Sequence, residues 1–258
     1  MILSPIEQRI KAKIEAVGTQ LKDWDINIYR GILTGYNEAF IIDGKKKDEL
    51  IAEDEKSAEI IRPILRGRDI KRYGYDFADL WLINTHNGVK EKGIKSIKID
   101  DYPAIKNHLD KFYSELEKRQ DKGETPYNLR NCAYIEDLDR QKIVWKRVGS
   151  ILRFCCDESK HMVLDSTCFA TGNHMKYLVG ILNSKLGNYM LQDSPKTGTG
   201  DLLISVQAIE PLKIPLPNTE AEQQIKNFLQ VEDYKAIDIF VYGLYELNQE
   251  EIDFIESQ

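Results

Sequence analysis

Arg62, Arg66, Arg68, Lys71 and Arg72 fall within eleven residues of one another, in the run IIRPILRGRDIKRYGYDFADLWLI at residues 60–83. Guanidinium forks match phosphate oxygens and the O6 and N7 edge of guanine, and ammonium groups add point charge for phosphates. The segment therefore carries nucleic-acid chemistry, and Gly67 at its centre would let the backbone come close to DNA. The competing reading is a strand and turn whose cations are neutralised by Asp69, Asp76 and Asp79. Three smaller basic or hydroxyl-bearing groups accompany it. Lys45 and Lys46 follow Gly44 at a basic tip, Lys146 and Arg147 close the strand-like KIVWKRV, and Lys196, Thr197 and Thr199 lie in the loop SPKTGTGD. Tyr36 and Asn37 add an aromatic ring and an amide in the turn LTGYN. Each of these could equally be a solvated surface or an ordinary connector.

Catalytic signatures are missing from the chain. It has no GxGxxG after a strand, no GxxxxGK[ST], no GxSxG and no HExxH, and His86, His108, His161 and His174 lie in separate segments. One loose nuclease pattern exists. Asp43, then Asp54 and Lys56, match the spacing in which carboxylates hold Mg²⁺ and a lysine orients the attacking water. Asp54, Glu55 and Lys56 sit in a charged helical stretch, so a solvated charge run is the better reading. The four cysteines form no CxxC pair and read as reduced thiols of a cytoplasmic protein.

The elements that must position these groups alternate between helix and strand. Ile6, Ile10, Ile14, Val17 and Leu21 form an apolar stripe that predicts a helix over residues 5–22, with Pro5 in its first turn. INIYRGILTGYNEAFIID predicts two strands joined by a turn. GKKKDELIAEDEKSAEIIR predicts a turn and then a helix, and LWLI a buried strand. YPAIKNHLDKFYSELEKRQDKG predicts one helix from Pro103 towards Gly123. KIVWKRV, ILRFCCD and HMVLDSTCFATG predict a three-strand meander. MKYLVGILNSKLGNYMLQ predicts a mostly buried helix. Pro211, Pro215 and Pro217 keep the following stretch extended, and Thr219 with Glu222 has the spacing of a capping box for a helical tail.

The charge is unevenly distributed. Of 258 residues, 42% are hydrophobic and 30% charged, and the net charge is −6. Residues 210–258 hold three Lys/Arg against eleven Asp/Glu, whereas residues 60–99 hold nine against four. A basic middle and an acidic tail fit a nucleic-acid face on one side and a solvated or partner-facing helix on the other. No apolar run approaches the ~18 residues of a membrane span, and the N-terminus lacks the apolar centre of a signal peptide.

In order along the chain, GILTGYNEAFIID, IIRPILRGRDIKRY, WLI, YPAIKNHLDKF with LEKRQDKGETPYNLRNCAY, KIVW, and TCFATGNHMKYLVGILNSKL resemble the TaqI-like C-terminal specificity domain. This is the target-recognition region of adenine-N6 DNA methyltransferases and of fused type II restriction–modification enzymes. The resemblance runs over residues 24–217. It implies an α+β fold, with a twisted, largely antiparallel sheet flanked by helices. A helix at 1–23 would precede the domain and an acidic tail at 218–258 would pack on it or on a partner. It also implies sequence-specific recognition of double-stranded DNA, with catalysis supplied by a methyltransferase or endonuclease domain or subunit. S-adenosylmethionine and Mg²⁺ would belong to that catalytic part, because the chain has no S-adenosylmethionine loop and no Asn-Pro-Pro-Tyr-type motif. The chain would then be a fragment of a longer polypeptide or a separate specificity subunit. The alternatives are a Mg-dependent nuclease using Asp43, Asp54 and Lys56, and a protein-interaction domain built on the helical tail.

Overall fold

The structure, a computed structural model, describes residues 3–258. Helix α1 (Pro5–Val17) opens on a capping box between Ser4 and Glu7, with Pro5 at its first position, and ends at Gly18. A Cβ at Gly18 would lie 2.5 Å from the carbonyl carbon of Lys213. The chain therefore leaves the helix four residues before the apolar stripe ends at Leu21 and enters strand β1 (Thr19–Gln20), which pairs with residues 213–214.

Strand β2 (Ile26–Arg30) follows. The sequence predicts a hairpin here, but the next strand lies in a different sheet. A short helix, α2 (Asn37–Phe40), buries Ala39 and Phe40 and leads into β3 (Ile41–Asp43). Helix α3 (Gly44–Glu53) then starts directly, without the expected turn, because the Asp43 carboxylate accepts from the backbone N–H of Lys46 at 2.7 Å. Strands β4 (Ile61–Leu65) and β5 (Leu80–Ile83) flank the basic segment. The single helix expected after Pro103 is two, α4 (Pro103–Asp110) and α5 (Tyr113–Lys118), broken at Lys111 and Phe112.

Strands β6 (Lys142–Lys146), β7 (Val148–Gly149), β8 (Phe154–Asp157), β9 (Met162–Val163) and β10 (Thr167–Gly172) do not form the expected meander. The central sheet has the order β2-β10-β6-β8, all antiparallel, so β10 returns to the far side of β6. Strand β9 leaves for the second sheet, ordered β3-β5-β4-β9, where it runs parallel to β4. The fold class is α+β, as the sequence predicts.

Helix α6 (Met175–Asn183) is separated from α7 (Lys185–Leu191) at Ser184, whose hydroxyl caps α7 by accepting from Gly187 N–H. Strand β11 (Leu202–Leu203) pairs with β7, helix α8 (Val206–Ile209) is one turn, and β12 (Lys213–Ile214) closes on β1. Helices α9 (Thr219–Gln230), α10 (Tyr234–Leu244) and α11 (Gln249–Glu256) complete the chain. The N-cap of α9 is Asn218, not the predicted Thr219, and Glu222 instead binds His174 Nδ1 at 2.7 Å.

Two cores lie on opposite faces of the central sheet. Val144, Cys155 and Phe169 point into one, with Ile64, Leu65, Leu82, Ile83 and Leu109. Ile143, Trp145, Phe154, Cys168 and Ala170 point into the other, with α1, α6, α7 and the C-terminal helices. This is the period-two alternation of a strand buried on both sides. Ile10 of α1 and Ile225, Ile237, Val241 and Tyr245 of the C-terminal segment share this second core. Glu251 of α11 is buried and bound by Lys13 of α1 at 2.7 Å.

Candidate nucleic-acid interface

The basic segment is not uniform. Arg66 donates from Nε and Nη2 to Asp69 at 3.1 and 2.8 Å, and the Asp69 carboxylate also accepts from Arg66 N–H. Arg62 is paired with Asp139 and Lys71 with Asp76. Arg72 donates to the carbonyl of Asn183 at 2.7 Å and lies over the rings of Tyr73 and Tyr234. Arg68 alone in this group is exposed with no carboxylate or carbonyl partner among the described residues. Asp79 is not a partner of these cations. It accepts from Trp81 Nε1 at 2.8 Å.

Gly67 is buried against protein instead of facing a ligand. Its N–H donates to Ser166 Oγ at 3.0 Å, and a Cβ there would lie 2.8 Å from Ser166 O and 3.0 Å from Lys146 Cγ. Six residues on, Tyr73 N–H donates to the carbonyl of Phe154 at 2.9 Å. The segment thus crosses the end of the central sheet, from β10 and β6 to β8, and Arg68 sits on that crossing.

Lys146 is exposed at the same end of the sheet, opposite Thr167 of β10. Arg147 follows, its N–H donating to Ser166 O and its carbonyl accepting from Ile204 N–H. The β6–β8 register pairs Trp145 with Phe154, so one further step sets Lys146 beside Arg153. Strand β11 binds β7 through Leu202 and Gly149, and Lys196 bridges to Leu202, which brings the 196–200 turn alongside. In that turn the Thr197 and Thr199 hydroxyls are 2.8 Å apart, and Gly200 N–H donates to Thr197 O.

The chain has eleven arginines. Eight are engaged: Arg9, Arg30, Arg62, Arg66, Arg130 and Arg140 by carboxylates, Arg72 and Arg119 by backbone carbonyls. Among the described residues, the three whose side chains have neither kind of partner are Arg68, Arg147 and Arg153, and all three lie at this one end of the sheet. Lys146 and Lys196, also without carboxylate partners, lie with them. A guanidinium left unpaired in the free protein keeps all five donors for a ligand. Sequence reasoning missed Arg153. It precedes Phe154, the first residue of β8, as Lys146 ends β6, and the meander predicted from KIVWKRV and ILRFCCD already sets these two runs side by side.

The opposite end of the same sheet is closed. Lys142 is fully buried, 3.0 Å from Asp157 Oδ2, and donates to the carbonyls of Leu138 and Arg140. Asp157 also accepts from His161 N–H at 2.8 Å and lies 2.9 Å from His161 Nδ1. Burial pulls the Lys142 ammonium below its ordinary range. Burial alone would raise Asp157, but the bonds from His161 and Lys142 outweigh it and hold the carboxyl low.

The remaining candidates sit elsewhere. Tyr36 donates to Glu38 at 2.9 Å and packs near Phe112, and Asn37 accepts from the Thr34 hydroxyl. Lys46 is paired with Glu49, and Lys45 is exposed on α3. Asp43 caps the start of α3 and Asp54 follows its end. Ten helical residues put them ~15 Å apart, too far to share one ion. Lys56 lies over the ring of Tyr102. Among the described residues, no three His, Cys, Asp or Glu side chains are grouped to hold a metal ion.

Residues 62–212 match the family model of the TaqI-like C-terminal specificity domain. The chain belongs to this family. No curated protein matches it. The type IIL restriction–modification enzyme MmeI, solved in complex with DNA, superposes with a TM-score of 0.67 at 11% identity, over 93% of this chain and 36% of MmeI. The type IIG restriction endonuclease BpuSI gives a TM-score of 0.49 at 14% identity, over 95% of this chain and 33% of BpuSI. This specificity domain therefore spans about a third of the length of each of those enzymes. The MmeI likeness is one of fold. No helix among the described residues is long and apolar enough to cross a membrane.

Proposed function

We propose that this TaqI-like specificity domain is a target-recognition module that grips double-stranded DNA with the open end of its central sheet and does no chemistry itself. The observation that carries the reading is the gathering of Arg68, Arg147 and Arg153, the arginines without partners, beside Lys146 and Lys196. Lysines would bind phosphates and give salt-dependent affinity. Arginine forks and the Thr197 and Thr199 hydroxyls would discriminate bases, at ~1–3 kcal/mol for each good bidentate pair. Arg66 is tied to Asp69 and Arg72 to the Asn183 carbonyl, so they would hold the reading surface in shape. Methyl transfer or strand cleavage would come from a methyltransferase or endonuclease part of the same restriction–modification system. S-adenosylmethionine and Mg²⁺ would bind there, and the module would work in the cytoplasm. Within this chain the distance between Asp43 and Asp54 across α3 speaks against a shared ion, which supports placing the metal elsewhere.

Selection from a randomised duplex pool at low salt tests this. The wild-type chain should enrich one sequence class and leave it uncut in the presence of Mg²⁺. The Arg68→Ala/Arg147→Ala/Arg153→Ala variant should fold and enrich none. Equal enrichment by both proteins would remove the open end as the reading surface, and cleavage by the wild type would refute the non-catalytic reading.

A further inference from the structure

We propose that Ile151 is a base-reading side chain, an aliphatic tip that contacts a thymine methyl group in the major groove of the bound duplex. The inference rests on the DNA-binding reading above and adds a named contact and a base to it. Ile151 is 62% exposed. The other large exposed hydrophobics are placed differently. Val231 lies just past the end of α9 and Ile239 in α10, both in the acidic C-terminal segment, and Leu216 lies in the proline-rich connector before them. Phe77 is flanked by Trp81 and His161, and Tyr113 by Tyr127. Ile151 is the one that rises among unpaired cations, two residues from Arg153 and four from Arg147. Residues 141–156 contain Lys142, Lys146, Arg147 and Arg153 and no Asp or Glu.

The tip is held from both sides. Val148 and Gly149 pair with Leu203 and Leu202, and Ile204 N–H donates to the carbonyl of Arg147. On the other side Leu152 is buried in the second core and Phe154 begins β8, its N–H and carbonyl both bound by the Asn183 amide. A β-branched side chain has few χ1 choices, so a short loop fixed at both ends presents it as a stiff probe. Lys146 and Lys196 would engage phosphates and the forks of Arg147 and Arg153 would reach base edges, which places the residue between those arginines over base edges as well. The apolar group that the major groove offers there is the C5-methyl of thymine, whereas the minor groove offers none. An exposed isoleucine gains nothing in water, and covering a methyl group against it does.

The test uses the full chain and the duplex that it enriches from the randomised pool, with each thymine replaced in turn by deoxyuridine. For the wild type, one position should lose affinity by roughly threefold to fourfold, the effect of a buried methyl. Ile151→Ala should lose a similar factor on the thymine duplex and nothing further on deoxyuridine at that position. Ile151→Val should keep the preference, and Ile239→Ala, equally exposed but on the acidic helices, should be unchanged. If no position couples to Ile151, the contact is refuted while DNA binding stands. A loss in Ile151→Ala without deoxyuridine sensitivity, together with a rise in 2-aminopurine fluorescence on wild-type binding, overturns the proposal in favour of a wedge between base steps. If the wild type enriches no duplex, the DNA-binding reading fails and this inference with it.

Discussion

Strand β6 begins on Lys142 and ends on Lys146, and the two ends of the sheet treat their cations in opposite ways. At the Lys142 end four cations are answered within the fold. Lys142 meets Asp157, Arg62 meets Asp139, Arg140 meets Asp137 and Lys176 meets Glu158. At the Lys146 end Arg68, Arg147 and Arg153 have no such partner. Isolated positive charges crowded together repel one another, so an arrangement that leaves them unpaired does not serve the stability of the free domain. The same residue type is thus structural at one end and available to a ligand at the other, and pairing separates the two roles.

The closed end should give the largest response. Lys142→Ala leaves Asp157 buried with half its compensation, and loss of one partner of a buried pair costs ~3–5 kcal/mol. Urea denaturation should show that loss while DNA affinity per folded molecule stays unchanged. A cost under ~1 kcal/mol would erase the contrast between the ends. Asp69→Ala is intermediate and mixes the two behaviours. It removes the carboxylate that accepts from Arg66 N–H, worth ~1 kcal/mol for a lost cap of this kind, and it frees the Arg66 fork. Melting temperature should fall, and affinity for random duplex at low salt should rise. A fall in affinity would mean that Arg66 must be held to serve the surface.

Acid should act on the closed parts of the molecule. Asp157 and Glu251 have carboxyls held below their usual values of 3.8 and 4.5, Glu251 against the burial that would raise it, through its bonds to Lys13 and Asn248 N–H. A lowered folded-state pKa contributes stability above the unfolded value and loses it as pH falls through the folded one. Thermal melting should therefore be flat down to about pH 5 and decline below it, and Glu251→Gln should flatten part of that decline. The smallest effect belongs to the open end. Arg68→Ala, Arg147→Ala and Arg153→Ala should each change stability by less than ~0.5 kcal/mol, because Arg68 is exposed, Arg147 and Arg153 are half-buried, and none of the three side chains has a partner to lose.

Much of this contrast was legible in the sequence, and some was not. The strands LWLI, KIVW and RFCC and the buried run after Met175 read correctly, because apolar periodicity reports burial directly. The basic segment left two competing readings, cations free for DNA or cations neutralised by nearby carboxylates, and the fold divides the segment between them. Which cation was which was not legible, because pairing depends on a carboxylate brought near by the fold. Asp69 is three residues from Arg66, but Asp139 is 77 residues from Arg62. The meander failed for a related reason. Strand β10 lies between β2 and β6, and β9 joins another sheet, so neighbours in sequence are not neighbours in space. Gly67 was read as an approach to DNA, whereas the atoms pressing on it are Ser166 O and Lys146 Cγ. No local pattern announces a contact a hundred residues away.

The salt dependence of binding tests the central claim most directly. Affinity for the enriched duplex is measured from low to moderate salt for the wild type, for Lys146→Ala/Lys196→Ala from the open end, and for Arg62→Ala/Arg140→Ala from the closed end. Each phosphate contact contributes about 0.9 to the slope of log affinity against log salt. The open-end variant should bind more weakly, with a slope shallower by roughly two units, and the closed-end variant should match the wild type. Equal slopes for the wild type and the open-end variant, or an equal loss from the closed end, would contradict the assignment of the open end to DNA.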